Sequence, residues 1–400
     1  MKKMNKQILV YLIISFLFFN GNFTMATENN PESLESQLSF TLIFDQPVVK
    51  TVNDQGQEYQ TLGIPDLPTI HNQQNISVPV RSLRLLLPYA TTVDTIQIES
   101  LTNPQYYPIN LVKQEYISIN TFHTNSSLLT VQQLNQSDNN SSVVYENLGI
   151  QYVRGYPVLH LNIYPVSYQN DLEIATFYEK MIVQINTKDT SVNTLLRNTA
   201  ADKKEVLQLI DNPETMQSYD INQNTVETTA QYDYVIITTE ALKNANGDYS
   251  FNDLISLRES QGLSCTYKTV ESIYDEFEGR DEKEKIRNFI KDAYQNWGIS
   301  WVLLGGDIEH VPIRYLWDFD GQDTVVSSDL YYQCLDGNYN FNGDGRWGEK
   351  YDGVNGERID LYAEVYIGRA PVDDEQDVSS FVEKTIIYEN SQWGVDEYLQ

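Results

Sequence analysis

The chain has 400 residues, of which 27 are Lys or Arg and 56 are Asp or Glu, giving a formal charge of -29. That balance excludes electrostatic capture of nucleic acid or of an anionic membrane surface, and it favours divalent cations and a salty exterior. Its two cysteines, Cys265 and Cys334, exclude a disulfide framework and form neither a CxxC nor a cysteine–histidine zinc pattern. Packing must hold the fold, and the length predicts two domains.

Residues 1–26 read as a signal peptide. "MKKMNKQ" supplies a basic start, "ILVYLIISFLFF" an apolar run of 12 residues, and "TMA" a small-residue cleavage site ending at Ala26. A spanning helix needs roughly 18 to 20 apolar residues, so export with cleavage is expected, and the mature chain should contain no membrane span. Sequons at Asn75, Asn125, Asn135, Asn139 and Asn140 suit an exported glycoprotein.

Residues 27–186 read as a β domain of sandwich or jelly-roll type. "SFTLIFDQPVVKTV", "SVPVRSLRLLLPYA", "TVDTIQIES", "YPVLHLNIYPVSYQ" and "KMIVQINTK" are short, rich in β-branched and aromatic residues, and separated by turn formers. Alternation in "VLHLNIYPV" sets Val158, His160, Asn162 and Tyr164 on one face, which makes His160 a solvent-facing histidine rather than a ligand. Residues 187–230 are polar and weakly patterned; they are expected to be a linker with one short helix near Lys203–Ile210.

From Tyr232 the pattern changes. "YDYVIITT", an amphipathic helix in "SFNDLISLRESQG", "SCTYKTV", a second helix, and "WVLLGG" follow in order, predicting an α/β domain over 231–400 with a doubly wound, mostly parallel sheet. Asp281 and Glu284 form a capping-box pattern before the second helix, whose apolar residues Ile286, Phe289, Ile290, Ala293, Tyr294 and Trp297 recur at helical spacing. Asp307 follows the third strand, at the carboxyl end where ligands gather in such sheets.

An irregular stretch of about 50 residues after Val311 is too long for an ordinary connection. In it Asn340, Asn342, Asp344 and Gly345 copy positions 1, 3, 5 and 6 of a calcium loop, but the twelfth position is Tyr351 rather than Glu. An EF-type site is therefore not expected; Asp336, Asp344, Glu349 and Asp352 could still cradle a cation, or the segment is a hydrated turn. In "DLYAEVYIGRAPV", Asp360, Tyr362 and Glu364 share one face of an expected strand. If the start of that strand lies near Asp307, then Asp307, Asp360 and Glu364 offer three hard oxygens to one Ca2+. In the alternative, Asp307 caps a turn and the other two form ion pairs with neighbours such as Arg369.

The chain resembles the gingipain family of cysteine peptidases. "LGIPDLP" and "VRGYPVLHLNIYPVSYQ" are similar to the family propeptide, and "YDYVIITTEAL", "IRNFI", "VLLGGDIEHVPIR", "SSDLYY", "LDGNYNFNGDGRWGE", "EVYIGRAPV" and "FVEKTIIYEN" follow one another as in its catalytic domain. The resemblance implies a caspase-like α/β domain, a calcium site matched by Asp307, Asp360, the carbonyl of Tyr362 and Glu364, and a propeptide acting as intramolecular inhibitor. It also implies a catalytic histidine in a Gly-His-Gly segment and a cysteine in an Ala-Cys segment, neither of which occurs in this sequence.

The expectation is thus the amino-terminal portion of a secreted or cell-surface cysteine endopeptidase precursor, acting on protein or peptide substrates, with an α/β domain incomplete at its C-terminus and no catalytic residue within the chain. Cys265 falls in a strand, and the pair Cys334 and His310 lacks any sign of hydrogen-bond reach, so neither is expected to do the chemistry. Two rivals are a secreted calcium-binding or adhesion protein on the same scaffold, and a cell-surface processing or sorting peptidase.

Overall fold

The computed structural model describes residues 37–54, 57–71, 77–109, 111, 144–169, 172–221, 231–317, 325–353 and 356–390. The expected signal segment and all five sequons lie outside them.

The first part is β-rich. Its strands are β1 (Gln37–Ile43), β2 (Val48–Asp54), β3 (Gln57–Gly63), β4 (Thr69–His71), β5 (Ser77–Pro79), β6 (Arg81–Leu86) and β7 (Thr91–Ser100). There follow β8 (Gln105–Pro108), β9 (Tyr145–Val153), β10 (Tyr156–Ile163), β11 (Val166–Gln169), β12 (Ile174–Phe177) and β13 (Lys180–Asp189). Three antiparallel sheets, ordered β1-β13-β7, β6-β10-β9 and β11-β12-β8, send their inward residues into one core that includes Phe40, Leu83, Leu161, Phe177 and Val183. The alternation of buried and half-exposed residues along β13 is the period-2 signal expected of strands packed on one face.

The outer face of β10 is not open to solvent. His160 was assigned there by alternation, and the structure corrects the environment: its ring lies 5.4 Å from that of Tyr362 in the second part of the chain. Desolvation lowers its pKa to about 4, so the imidazole is neutral at ordinary pH.

Residues 190–221, expected to be a linker, form a packed strap. Leu195 is fully buried in the core of the α/β part, while Val206, Met216 and Tyr219 pack with Leu86, Tyr156 and Val158 of the β part. The anticipated short helix is α1 (Ala200–Leu207), followed by a 3-10 turn at Pro213–Met216 and α2 (Gln217–Ile221). The strap crosses the β9–β10 turn so closely that a Cβ on Gly155, whose φ is +79°, would lie 2.4 Å from the backbone nitrogen of Leu196. Only glycine suits that position.

The second part contains β14 (Tyr234–Thr238), α3 (Glu240–Lys243), α4 (Phe251–Ser260), β15 (Cys265–Thr269), α5 (Val270–Glu276), α6 (Glu282–Asp292) and β16 (Trp301–Gly305). It continues with β17 (Arg314–Trp317), β18 (Val325–Ser328), α7 (Leu330–Gln333), β19 (Tyr366–Ala370) and α8 (Glu375–Asn390). The order β15-β14-β16-β19 is all parallel, and separate apolar clusters cover its two faces, as the near-continuous apolar strands require. Among the described residues no helix is long and apolar enough to cross a membrane.

Candidate metal centre at the domain seam

Three carboxylates meet where the two parts of the chain join. Asp336 comes from the loop after α7, and Asp360 and Glu364 from the irregular lead-in to β19. That lead-in was expected to be strand; β19 itself begins only at Tyr366. The lead-in is fixed by exchange with the end of α7: the amide of Glu364 donates to the carbonyl of Gln333 at 2.9 Å, and the amide of Leu335 donates to Oε2 of Glu364 at 2.8 Å. Tyr339 Oη adds a 2.7 Å bond to the carbonyl of Asp360.

Arg287 on α6 holds the other loop. Its buried guanidinium donates to the carbonyls of Tyr331, Cys334, Asp336 and Gly337 at 2.7–3.0 Å, and among the described residues it bonds to no carboxylate oxygen. The positive charge is therefore set beside the cluster without occupying its carboxylate oxygens.

Burial is nearly complete: Asp336, Asp360 and Glu364 are 7%, 8% and 0% exposed. Desolvation, followed by mutual repulsion or offset by donors, raises the pKa of all three, that of Asp360 to about 8 and that of Glu364 well above the carboxylate range. Lys291 is drawn toward Asp336 and Glu364, but desolvation dominates and lowers its pKa. Two buried oxygens, Asp336 Oδ2 and Glu364 Oε1, find no donor among the described residues, and the two carboxyl groups are close enough to share a proton. Buried carboxylates in that condition take up either protons or a cation.

The first part of the chain covers the cluster. The Tyr152 amide on β9 donates to Asp360 Oδ2, whose Oδ1 accepts from the Tyr362 amide at 2.8 Å. Gln151 clamps the same segment, donating to the Ile359 carbonyl and accepting from the Leu361 amide, each at 3.2 Å. From the strap, Asn193 Nδ2 donates to Asp336 Oδ1 at 2.7 Å. Nearby, Arg197 pairs with Asp202 at 2.6 Å and donates to the Ile299 carbonyl, tying strap to sheet.

Of the residues picked from sequence, Asp360, Tyr362 and Glu364 are brought together and Asp307 is not. The register aligns Trp301 with Tyr366 and Gly305 with Ala370, so Asp307 sits beside Val372, to whose carbonyl its amide donates at 3.1 Å. Six residues of strand at about 3.3 Å each put it about 20 Å along the sheet from the lead-in. Its Oδ1 accepts from the Ile308 amide at 2.7 Å, the turn-capping alternative. Carboxylate atoms of Asp307, Glu309 and Asp373 do lie within 4.8 Å of one another, on an exposed or half-exposed rim with nothing else that marks a site. Arg369 pairs with Asp329 at 2.7 Å rather than with Asp360 or Glu364.

Neither cysteine is set up as a nucleophile. Desolvation pushes the Cys265 thiol up to about 11 and raises that of buried Cys334 further. His310 instead places Nε2 3.0 Å from the Asp373 carbonyl, at the carboxyl end of the sheet. In the Asn340–Asp344 loop the side chains serve backbone amides: Asn342 Oδ1 accepts from Asp344, and Asp344 Oδ1 from Arg346.

A β-rich part joined to an α/β part with a parallel sheet, meeting at buried carboxylates, is the class of molecule this chain belongs to. Residues 227–397 match the model of peptidase family C25. Gingipain R2 of Porphyromonas gingivalis is 23% identical over 253 residues, which are 62% of this chain and 28% of that relative. The chain thus spans well under a third of its curated relative's length. The resemblance to the gingipain family read from the motifs holds. Solved structures of P. gingivalis proteins also align: one from work on the zymogenic latency of gingipain K, with a TM-score of 0.28 and 14% identity, covers 42% of this chain and 100% of that one. A complex of RgpB pro- and mature domains aligns with a TM-score of 0.34 and 12% identity, covering 48% and 96%. Overlaps of that size are too slight to define a fold.

Proposed function

We propose that the chain is the amino-terminal portion of a secreted or cell-surface gingipain-like cysteine endopeptidase precursor, with residues 27–186 as propeptide and the Cys/His dyad carried downstream of Gln400. The match of residues 227–397 to peptidase family C25 carries this reading. The raised thiol pKa values of Cys265 and Cys334 support placing the nucleophile elsewhere. The sheet order β15-β14-β16-β19 suits a caspase-like domain that further strands would complete. In the proposed chemistry a cysteine thiolate attacks the peptide carbonyl, a histidine protonates the leaving amine, and water hydrolyses the thioester.

A structural Ca2+ belongs to the same proposal. Asp336 and Glu364 would offer the oxygens that meet no donor among the described residues, Asp360 a carboxylate oxygen and Tyr362 its carbonyl, a hard-oxygen set that suits calcium better than softer metals.

The test compares residues 1–400 with the same reading frame extended past Gln400. The extended chain should hydrolyse a mixed peptide library and be labelled at a downstream cysteine by an irreversible thiol-directed inhibitor, while residues 1–400 do neither. An extended chain that is inactive and unlabelled, or hydrolysis by residues 1–400 that is lost in Cys334→Ala, would overturn the proposal.

A further inference from the structure

The carboxylate cluster lies in the joint between the two parts of the chain, and each of its outer contacts comes from the first part or the strap. Tyr152 belongs to β9, the edge strand of its sheet, whose amide would otherwise face the seam without a partner. It is satisfied by a carboxylate instead of a neighbouring strand. Gln151 grips residues 359 and 361 on either side of that carboxylate, and Asn193 holds the far oxygen of Asp336. The inner contacts, from Leu335, Tyr362 and Arg287, all belong to the second part.

We propose that cation binding at Asp336, Asp360 and Glu364 and docking of the first domain are one linked equilibrium, the cation acting as a latch on the seam. This rests on the calcium reading above. Without a cation no ion bridges Asp336 Oδ2 and Glu364 Oε1, and the lead-in that receives the Tyr152 amide is held by hydrogen bonds only, from Leu335, Tyr339 and Tyr362. With the cation bound, Asp336, Asp360 and Glu364 converge, and the acceptors for Tyr152 and Asn193 are fixed in place. Linkage makes the effect reciprocal: whatever loosens the first domain must weaken cation binding by the same factor.

The experiment is amide hydrogen exchange on the intact chain, stripped with chelator and then titrated with CaCl2, with binding followed in parallel by calorimetry. Calcium should slow exchange in residues 145–153 and 190–197 by at least about fivefold, the lower end of ordinary coupling between sites. If calcium binds and protection grows only in residues 331–337 and 359–366, the latch is refuted and the calcium site stands. If no binding is detected at millimolar calcium, both fall. The reciprocal arm uses Gln151→Ala, which loosens the seam and leaves all three carboxylates intact. Its calcium affinity should drop several-fold, and an unchanged affinity would also overturn the latch.

Discussion

At the scale of single residues, the molecule is defined by buried charge without enough counter-charge. Asp336 and Glu364 each keep one carboxylate oxygen that meets no donor among the described residues, and the Arg287 guanidinium is spent on backbone carbonyls. Removing one carboxylate should therefore stabilise the calcium-free protein, because a buried carboxyl group with a raised pKa must either take up a proton or stay a poorly compensated ion, and its neutral isostere does neither. Asp336→Asn keeps an acceptor for Asn193 and adds an N–H donor beside Glu364. Its melting temperature in chelator should rise by about 2 °C or more, and the rise that calcium gives the parent should vanish; scanning calorimetry with and without calcium reads both. A variant that melts lower in chelator and still responds to calcium would sink this account. Asp360 and Glu364 were legible in the sequence because acidic residues at alternate positions beside an apolar strand need a reason. Asp336 was only one acid among several in its loop. Gln151 and Asn193 left no local trace, since their role arises from contacts across 208 and 143 positions.

Among elements, periodicity carried most of the information for the α/β part. The stripe on α6 and the π-helical turn at Ala293–Trp297 is buried as its spacing required, with Ile286, Phe289, Ile290, Ala293 and Tyr294 all at 0% exposure and Trp297 half-buried at its end. The capping pattern is half realised. Asp281 accepts from the Glu284 amide at 2.9 Å, but Glu284 turns back to Arg280, and Arg314 takes both oxygens of Asp281. Such long-range ion pairs override local signatures. Another one, Arg258 to Glu389 at 2.7 Å, joins α4 to α8. The bond to Arg258 holds the Glu389 pKa below its usual range, so its stabilisation is present above the unfolded carboxylate pKa of about 4.3 and is lost as pH falls through the lower folded value. The pair is partly exposed, which limits it to under about 1 kcal/mol. The melting temperature of Glu389→Gln should therefore fall below that of the parent at pH 6, with the gap closing toward pH 3. A gap that stays constant over that range would contradict the assignment.

For the whole molecule, composition and texture divided the chain into a β-rich and an α/β part but misjudged what joins them. The segment between 190 and 221 looks like tether because its buried apolar residues, Leu195, Val206, Met216 and Tyr219 among them, follow no single period. Leu195 is buried in the α/β core, and the other three pack together against the β part. Arg197 and Lys203 are also engaged, with Asp202 and Asp220 respectively. Trypsin under native conditions should consequently spare Arg197 and Lys203 while cutting elsewhere, as mass spectrometry of the first fragments would show. An early cut after Arg197 would mean that the strap opens independently of the domains.

The seam also has a timetable. The edge of β9 meets residues 359–361, and the hydrogen bond from Gln151 to Ile359 spans 208 positions. At a synthesis rate of about 5–20 residues per second, that edge would wait roughly 10–40 s for its partner. Throughout that interval the first domain presents the unpaired edge of β9 to whatever is nearby. A chain built this way needs either a guardian during its manufacture or a destination reached before it folds.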